Sequence, residues 1–204
     1  MSEIPMMTTT SLETVEHYAL NAGGLAVNVD MSGITTAEQL VQYIRDNPGK
    51  VLGATSGGTT IAENRETWNP ERNGKRVNAK GEQYFAGADP MIKATLIEQT
   101  PANIKYGSGA ADITGDGTTH VVVTPRAEFR ASDYADNVLW FTNYGSKGII
   151  YALLENALCT KGISWSVNDK KVATSEVEFH GHASGVLFET GLPIKYGILY
   201  NATA

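Results

Sequence analysis

Leu25, Val27, Val29 and Met31 alternate with Ala26, Asn28 and Asp30 in LAVNVDM, a period of two that predicts a half-buried strand. The preceding VEHYAL predicts a second strand, paired with it across residues 21–24. The period then changes. In TTAEQLVQYIRDNPG, Ala37, Leu40, Val41 and Ile44 follow the i, i+3, i+4, i+7 rule of an amphipathic helix. Thr35 with Glu38 predicts a capping box at its start, and Asn47-Pro48-Gly49 ends it. TPANIKYG predicts a second, short helix, with Thr100 as cap, Pro101 in the first turn and Gly107 as terminator.

The other patterned stretches read as strands: 51–55, 58–68, 84–99, 119–124, 137–143, 149–158, 163–167, 172–181 and 193–200. Many strands with few helices predict a mainly β fold, an antiparallel β-sandwich or barrel with one flanking α-helix and a second short helix. SVNDKKV reads as a hairpin connection, whereas residues 69–82 form a long polar excursion of the kind that is usually functional or disordered. In and before it, Arg65, Arg72, Lys75, Arg76 and Lys80 lie among Glu63, Glu66, Glu71 and Glu82, and the mixed signs favour contact with protein over contact with nucleic acid. Residues 1–12 carry no period and read as an arm that a partner orders, leaving 13–204 as one domain. No internal repeat is visible.

Composition narrows the function classes. A chain of 204 residues favours a single domain, and 42% hydrophobic with 19% charged residues is the balance of a soluble protein. A net charge of -6 argues against a wide grip on phosphate backbones, which needs clustered Lys and Arg. The single cysteine, Cys159, excludes an intrachain disulfide, and its neighbours Leu153, Leu154, Ala157 and Leu158 predict a buried thiol. The N-terminus lacks the basic and apolar regions of a secretory signal, and no apolar run is long enough to cross a bilayer, so the expectation is a soluble chain made in the cytoplasm.

Three stretches suggest chemistry. LGATSGGTT, from Leu52, has the glycines and hydroxyls of a phosphate cradle but lacks the lysine and the following helix that such a loop requires. It reads instead as a bend at Ser56, Gly57 and Gly58 between two strands. In VEFHGH, alternation places Glu176, Glu178, His180 and His182 on one strand face, with Val177 and Phe179 on the other. His180 and His182 are therefore metal-ligand candidates, although the remaining histidines, His17 and His120, belong to other elements and a polar stripe needs no metal. DITGDGT, at residues 112–118, imitates the start of a calcium loop without its distal glutamate, and reads more simply as a turn between strands. No nucleophile elbow or Cys-His arrangement is present, so no catalytic residue and no cofactor is expected.

Taken in order, KVLGATSGGTTI, GKRVNAKG, MIKATLIEQTPANIKYGSGAAD, VVVTPRAEFRASDYADNVLWF and IIYALLENALCTKGISWSVNDKKVATSEVEFHGHAS resemble the major tail proteins of long-tailed bacteriophages, from about residue 15 to the C-terminus. The resemblance implies a tail tube subunit, not an enzyme: a β-sandwich or barrel with a flanking helix, forming hexameric rings that stack around a tape measure protein. Other implied partners are the tail terminator and baseplate proteins, with genomic DNA passing through the lumen unbound. The implied location is the virion tail, assembled in the host cytoplasm. It places Arg72, Lys75, Arg76 and Lys80 of the long loop at a subunit or ring contact, with the N-terminal arm and PIKYGILYNATA as further contacts. Some members add an immunoglobulin-like C-terminal domain, which is not expected after the last strand here. Two other readings stay open: a different virion β-module that decorates the particle or binds the host surface, and a metal-dependent hydrolase using His180 and His182.

Overall fold

A computed structural model describes residues 19–71, 77, 80–117, 119–184 and 191–202. Arg72, Lys75 and Arg76, the arm at 1–12 and His17 lie outside them, while Lys80 is an exposed turn residue. The fold is mainly β, with a large antiparallel sheet and two α-helices among the described residues. The strands are β1 (Ala19–Val27), β2 (Val51–Ala62), β3 (Arg65–Trp68), β4 (Tyr84–Ala88), β5 (Met91–Leu96), β6 (Ala111–Gly115) and β7 (Val121–Pro125), followed by β8 (Ala135–Tyr144), β9 (Gly148–Cys159), β10 (Ser164–Ser166), β11 (Thr174–His180) and β12 (Ile194–Tyr200). The helices are α1 (Ala37–Asp46) and α2 (Pro101–Ser108).

Eight strands pair in the order β10-β11-β5-β2-β1-β8-β9-β12, and β11 also pairs with β9. That extra contact joins Phe179 to Cys159 and His180 to Leu158, so the run of pairings from β11 to β9 returns to its start. β9 shares its second edge between two partners, with Gly148 to Leu154 against β12 and its last two residues against β11. Inside this circuit pack Leu25, Val27, Leu52, Ile92, Leu96, Val138, Leu154, Val177 and Phe179. On the opposite face of β1, β8 and β9, Ala26, Leu139, Ile149 and Leu153 meet Ala37 and Leu40 of α1. Burial on both faces explains the apolar runs VLWF in β8 and IIYALL in β9, which do not alternate.

The structure corrects several sequence expectations. Residues 15–18 of VEHYAL lie outside the described residues, and its last two, Ala19 and Leu20, do not turn back on LAVNVDM across 21–24, because β1 runs through that segment as one strand. Its register on β8 shifts between Leu20 and Gly24, with Asn21 and Gly23 at positive φ. A side chain at Gly23 would collide with the Trp140 indole, so the bulge and the glycine serve the same packing. The strand also ends at Val27, before Val29 and Met31, as Asn28 takes φ 52°. LGATSGGTT is likewise no corner. β2 passes through it, and the pairing on β5 shifts from Thr55 opposite Leu96 to Thr59 opposite Ala94, with Gly57 and Gly58 absorbing the excess at φ 74° and 96°.

Other boundaries move for similar reasons. The predicted strand 58–68 breaks at Asn64, φ 43°, into the end of β2 and the separate β3, and 84–99 breaks at Asp89-Pro90 into β4 and β5. Part of DITGDGT is strand β6, unanticipated, and only its second half is a turn. The α1 cap sits one residue later than expected, on Thr36, whose hydroxyl accepts from the Gln39 N–H while the Gln39 side chain accepts from the Thr36 N–H. Glu38, assigned to the box from sequence, instead accepts from the N–H of Ala202 beyond β12. Val41 is exposed, and Tyr43 and Ile34 flank the buried stripe in its place.

Candidate functional site

Among the described residues β3 and β4 pair only with each other, forming a two-stranded ribbon apart from the main sheet, and residues 69–83 connect them. Every β3 residue is exposed, as are Tyr84, Phe85 and Ala86 of β4. Trp68 lies opposite Tyr84, their ring centroids 5.9 Å apart and tilted by 44°. Trp68, Tyr84 and Phe85 keep 59%, 56% and 55% of their surface in contact with solvent. An isolated two-stranded hairpin is marginal in water at best, and three large aromatics on one are an unpaid exposure of apolar area.

The base of the ribbon is tied down by polar contacts. The Asn64 side chain donates to the Asp89 carbonyl at 3.1 Å, and the Asp89 N–H donates back to the Asn64 carbonyl at 3.4 Å. His180, at the end of β11, lies between two carboxylates, with Nδ1 2.6 Å from Asp89 Oδ1 and Nε2 3.2 Å from Glu178 Oε1. A neutral imidazole can donate from only one nitrogen, whereas the imidazolium donates to both. Glu178, nearly buried, also receives Lys161 Nζ at 2.5 Å, and Lys93 Nζ lies 3.9 Å from it while pairing with Glu176 at 2.7 Å. The cluster thus locks β5, β11 and the segment after β9 to the root of the ribbon.

Hydrogen bonding from Lys161 is the largest effect on the Glu178 carboxyl and holds it below the ordinary glutamate range; burial opposes this, and the charges of Lys161 and His180 reinforce it. Because the folded value is depressed, the stabilisation is present above the unfolded glutamate value and is lost as pH falls through the folded one. Glu178→Gln is therefore expected to lower the melting temperature by a few degrees at neutral pH, with the gap to the parent chain shrinking below about pH 5. A gap that stays constant down to acid unfolding would refute the linkage.

The two histidines do not converge. His182 donates from Nδ1 to the Asn156 carbonyl at 3.1 Å and meets the Tyr134 ring edge-on, whereas His180 belongs to the carboxylate cluster. β11 ends at His180, so the alternation that placed both on one face does not extend to His182. Glu178, on the face read as a polar stripe, is buried beside Lys161. Among the described residues no group of three His, Cys, Asp or Glu side chains is placed to hold a metal ion. In DITGDGT, Asp112 pairs with Arg126 at 3.1 Å while Asp116 accepts from the Thr119 and His120 N–H groups and closes the β6-β7 turn. Cys159 is buried, and burial pushes its thiol up, which disfavours the reactive thiolate. No described helix is long and apolar enough to cross a membrane.

Sequence reasoning singled out the loop at 69–82 but missed the ribbon that carries it. The available signal was the aromatics at its two ends, Trp68 before Asn-Pro and Tyr84-Phe85 after Gly-Glu-Gln. It also missed Asp89, Lys93 and Lys161, whose roles arise only when β4, β5 and β11 come together. Compared with protein-family models and with curated proteins, the chain matches none.

Proposed function

We propose that this protein is a structural subunit that assembles with copies of itself into stacked, hexameric rings, forming the tail tube of a long-tailed phage through which DNA leaves the virion. The observation that carries this reading is the β3-β4 ribbon, which holds Trp68, Tyr84 and Phe85 in solvent on an element that needs a partner surface. Two sheet edges add to it. Among the described residues β10 and β12 each pair on one side only, and edges of this kind are either protected or used for pairing. Joining them between subunits would close a ring, since two different surfaces of one chain make a head-to-tail contact.

The remaining features accord with a conduit. An acidic chain does not retain passing phosphates, and Asp112 and Glu178 are engaged in ion pairs with Arg126 and Lys161. The ribbon and the loop it carries, including Lys80, form the contact to a neighbouring subunit or ring, and the tape measure, terminator and baseplate proteins are the heterologous partners. Negative-stain microscopy of the purified protein at increasing concentration tests the reading. Stacked rings or tubes are expected, and a persistent monomer would overturn it.

A further inference from the structure

The root of the β3-β4 ribbon has two legs, and each is a pivot. Asn64, at φ 43°, separates β2 from β3, and Asp89-Pro90 separates β4 from β5. Asn64 and Asp89 join the legs to each other, through the Asn64 side chain and the Asp89 N–H. Pro90 is anchored to the body, because its carbonyl accepts from the Gly181 N–H at 2.9 Å. Asp89 is therefore the first residue of the root beyond that anchor, and its carboxylate reaches back to His180 Nδ1 at 2.6 Å.

The two carboxylates on the imidazole differ in their access to water. The Glu178 side chain keeps 7% of its surface exposed, and that of Asp89 keeps 56%. Hydrogen bonding from Lys161 also keeps Glu178 ionised. A charged imidazole donates from one nitrogen to each carboxylate, whereas a neutral one turns a lone pair towards one of them. The buried Glu178 has no water to replace its donor and the exposed Asp89 has, so the contact given up is the one to Asp89. The other charges around the ring are already engaged: Lys161 with Glu178, and Lys93 of β5 with Glu176 and Glu178. Directly opposite His180, β5 presents Met91 and β9 presents Leu158, neither of which titrates.

We propose that His180 is a pH-sensitive clasp: its imidazolium ties Asp89 to β11 and holds the ribbon in one orientation, and loss of the proton frees Asp89 and lets the ribbon turn on Asn64 and Pro90. The change falls between about pH 5 and about pH 8, where histidine is the side chain that ordinarily changes charge. A ribbon that turns presents Trp68 and Tyr84 in many directions, and a surface receiving them must first order them, which weakens the contact. The clasp rests on the geometry of the single subunit and does not depend on ring formation. Rings could equally be built on a ribbon that stays rigid at every pH.

The test uses the full-length chain carrying spin labels at Thr67→Cys on β3 and Asp136→Cys on β8, both exposed, the native Cys159 being buried. The distance between the labels is expected to be narrowly distributed at about pH 5 and broadened at about pH 8. A control pair on the body, Asp136→Cys with Gln42→Cys of α1, is expected to give the same distribution at both. His180→Gln, which has no proton to lose in this range, is expected to be broad throughout. Asp89→Asn, at an exposed position, is expected to remove the pH difference as well, and it carries the test if His180→Gln does not fold. A parent distribution that ignores pH would overturn the proposal, as would broadening that persists in the variants or that the control pair shares.

Discussion

Replacing Trp68 and Tyr84 together by aspartate is expected to leave the chain folded and to abolish the assembly proposed for it. Both side chains are more than half exposed in the single subunit, and substitutions at such positions usually alter stability within about 0.5 kcal/mol. Their value lies in the contact they would make. A buried aromatic anchor contributes about 2 kcal/mol or more to an interface, so losing two weakens each contact by roughly a thousandfold. On the proposed reading every subunit makes this contact, so tubes are expected to disappear instead of becoming shorter. Sedimentation and microscopy read the outcome, with circular dichroism as the check on folding. Tubes of ordinary length built from the folded variant would show that the ribbon is not the stacking element.

The largest effect on folding is expected from Gly109→Ala. Gly109 closes α2 at φ 77°, donating its N–H to the Tyr106 carbonyl. A Cβ there would lie well inside van der Waals contact with the carbonyl oxygen of Cys159, and both groups belong to the backbone, so no side-chain rotation relieves the overlap. Left-handed strain and the collision together cost about 3 kcal/mol or more, roughly 10 °C in melting temperature for a chain of this size. Gly117→Ala separates the two causes, because Gly117 has φ 72° with nothing within 4 Å of the added methyl. It is expected to cost about 1 kcal/mol. Equal losses at the two positions would remove the collision from the account.

The mainly β architecture was legible because it depends on local pattern. α1 could be read from its spacing and stop signal, and its cap was misplaced by one residue because Thr35 and Thr36 both suit the role and both donate to the Gln39 side chain; only the Gln39 N–H, which donates to the Thr36 hydroxyl, distinguishes them. The glycines of β2 could not be assigned from sequence, since positive φ serves a corner and a bulge equally. What decides is that β5 pairs on both sides of the pair, at Leu96 and at Ala94. The candidate site was less legible still. His180 was visible as a polar residue on a strand, but its partner Asp89 lies 91 positions away and is brought to it by the β5-β11 pairing. Trp68 and Tyr84 meet across the long loop, so their adjacency exists only once β3 and β4 are registered.

β12 lies outside the circuit of pairings that β9 and β11 complete, held by a ladder from Ile194 to Tyr200 on one side of β9. Its mechanical consequence is a division of load. A pull on the chain beyond Tyr200 is borne by the Glu38 contact to Ala202, by the Asn201 hydrogen bonds to Ser146 and Lys147 and then by that ladder, and all of these can yield while the strands of the circuit stay joined. The fold therefore has a flank that can part from β9 without opening the circuit, which in the proposed tube would let neighbouring subunits shift while each body stays closed.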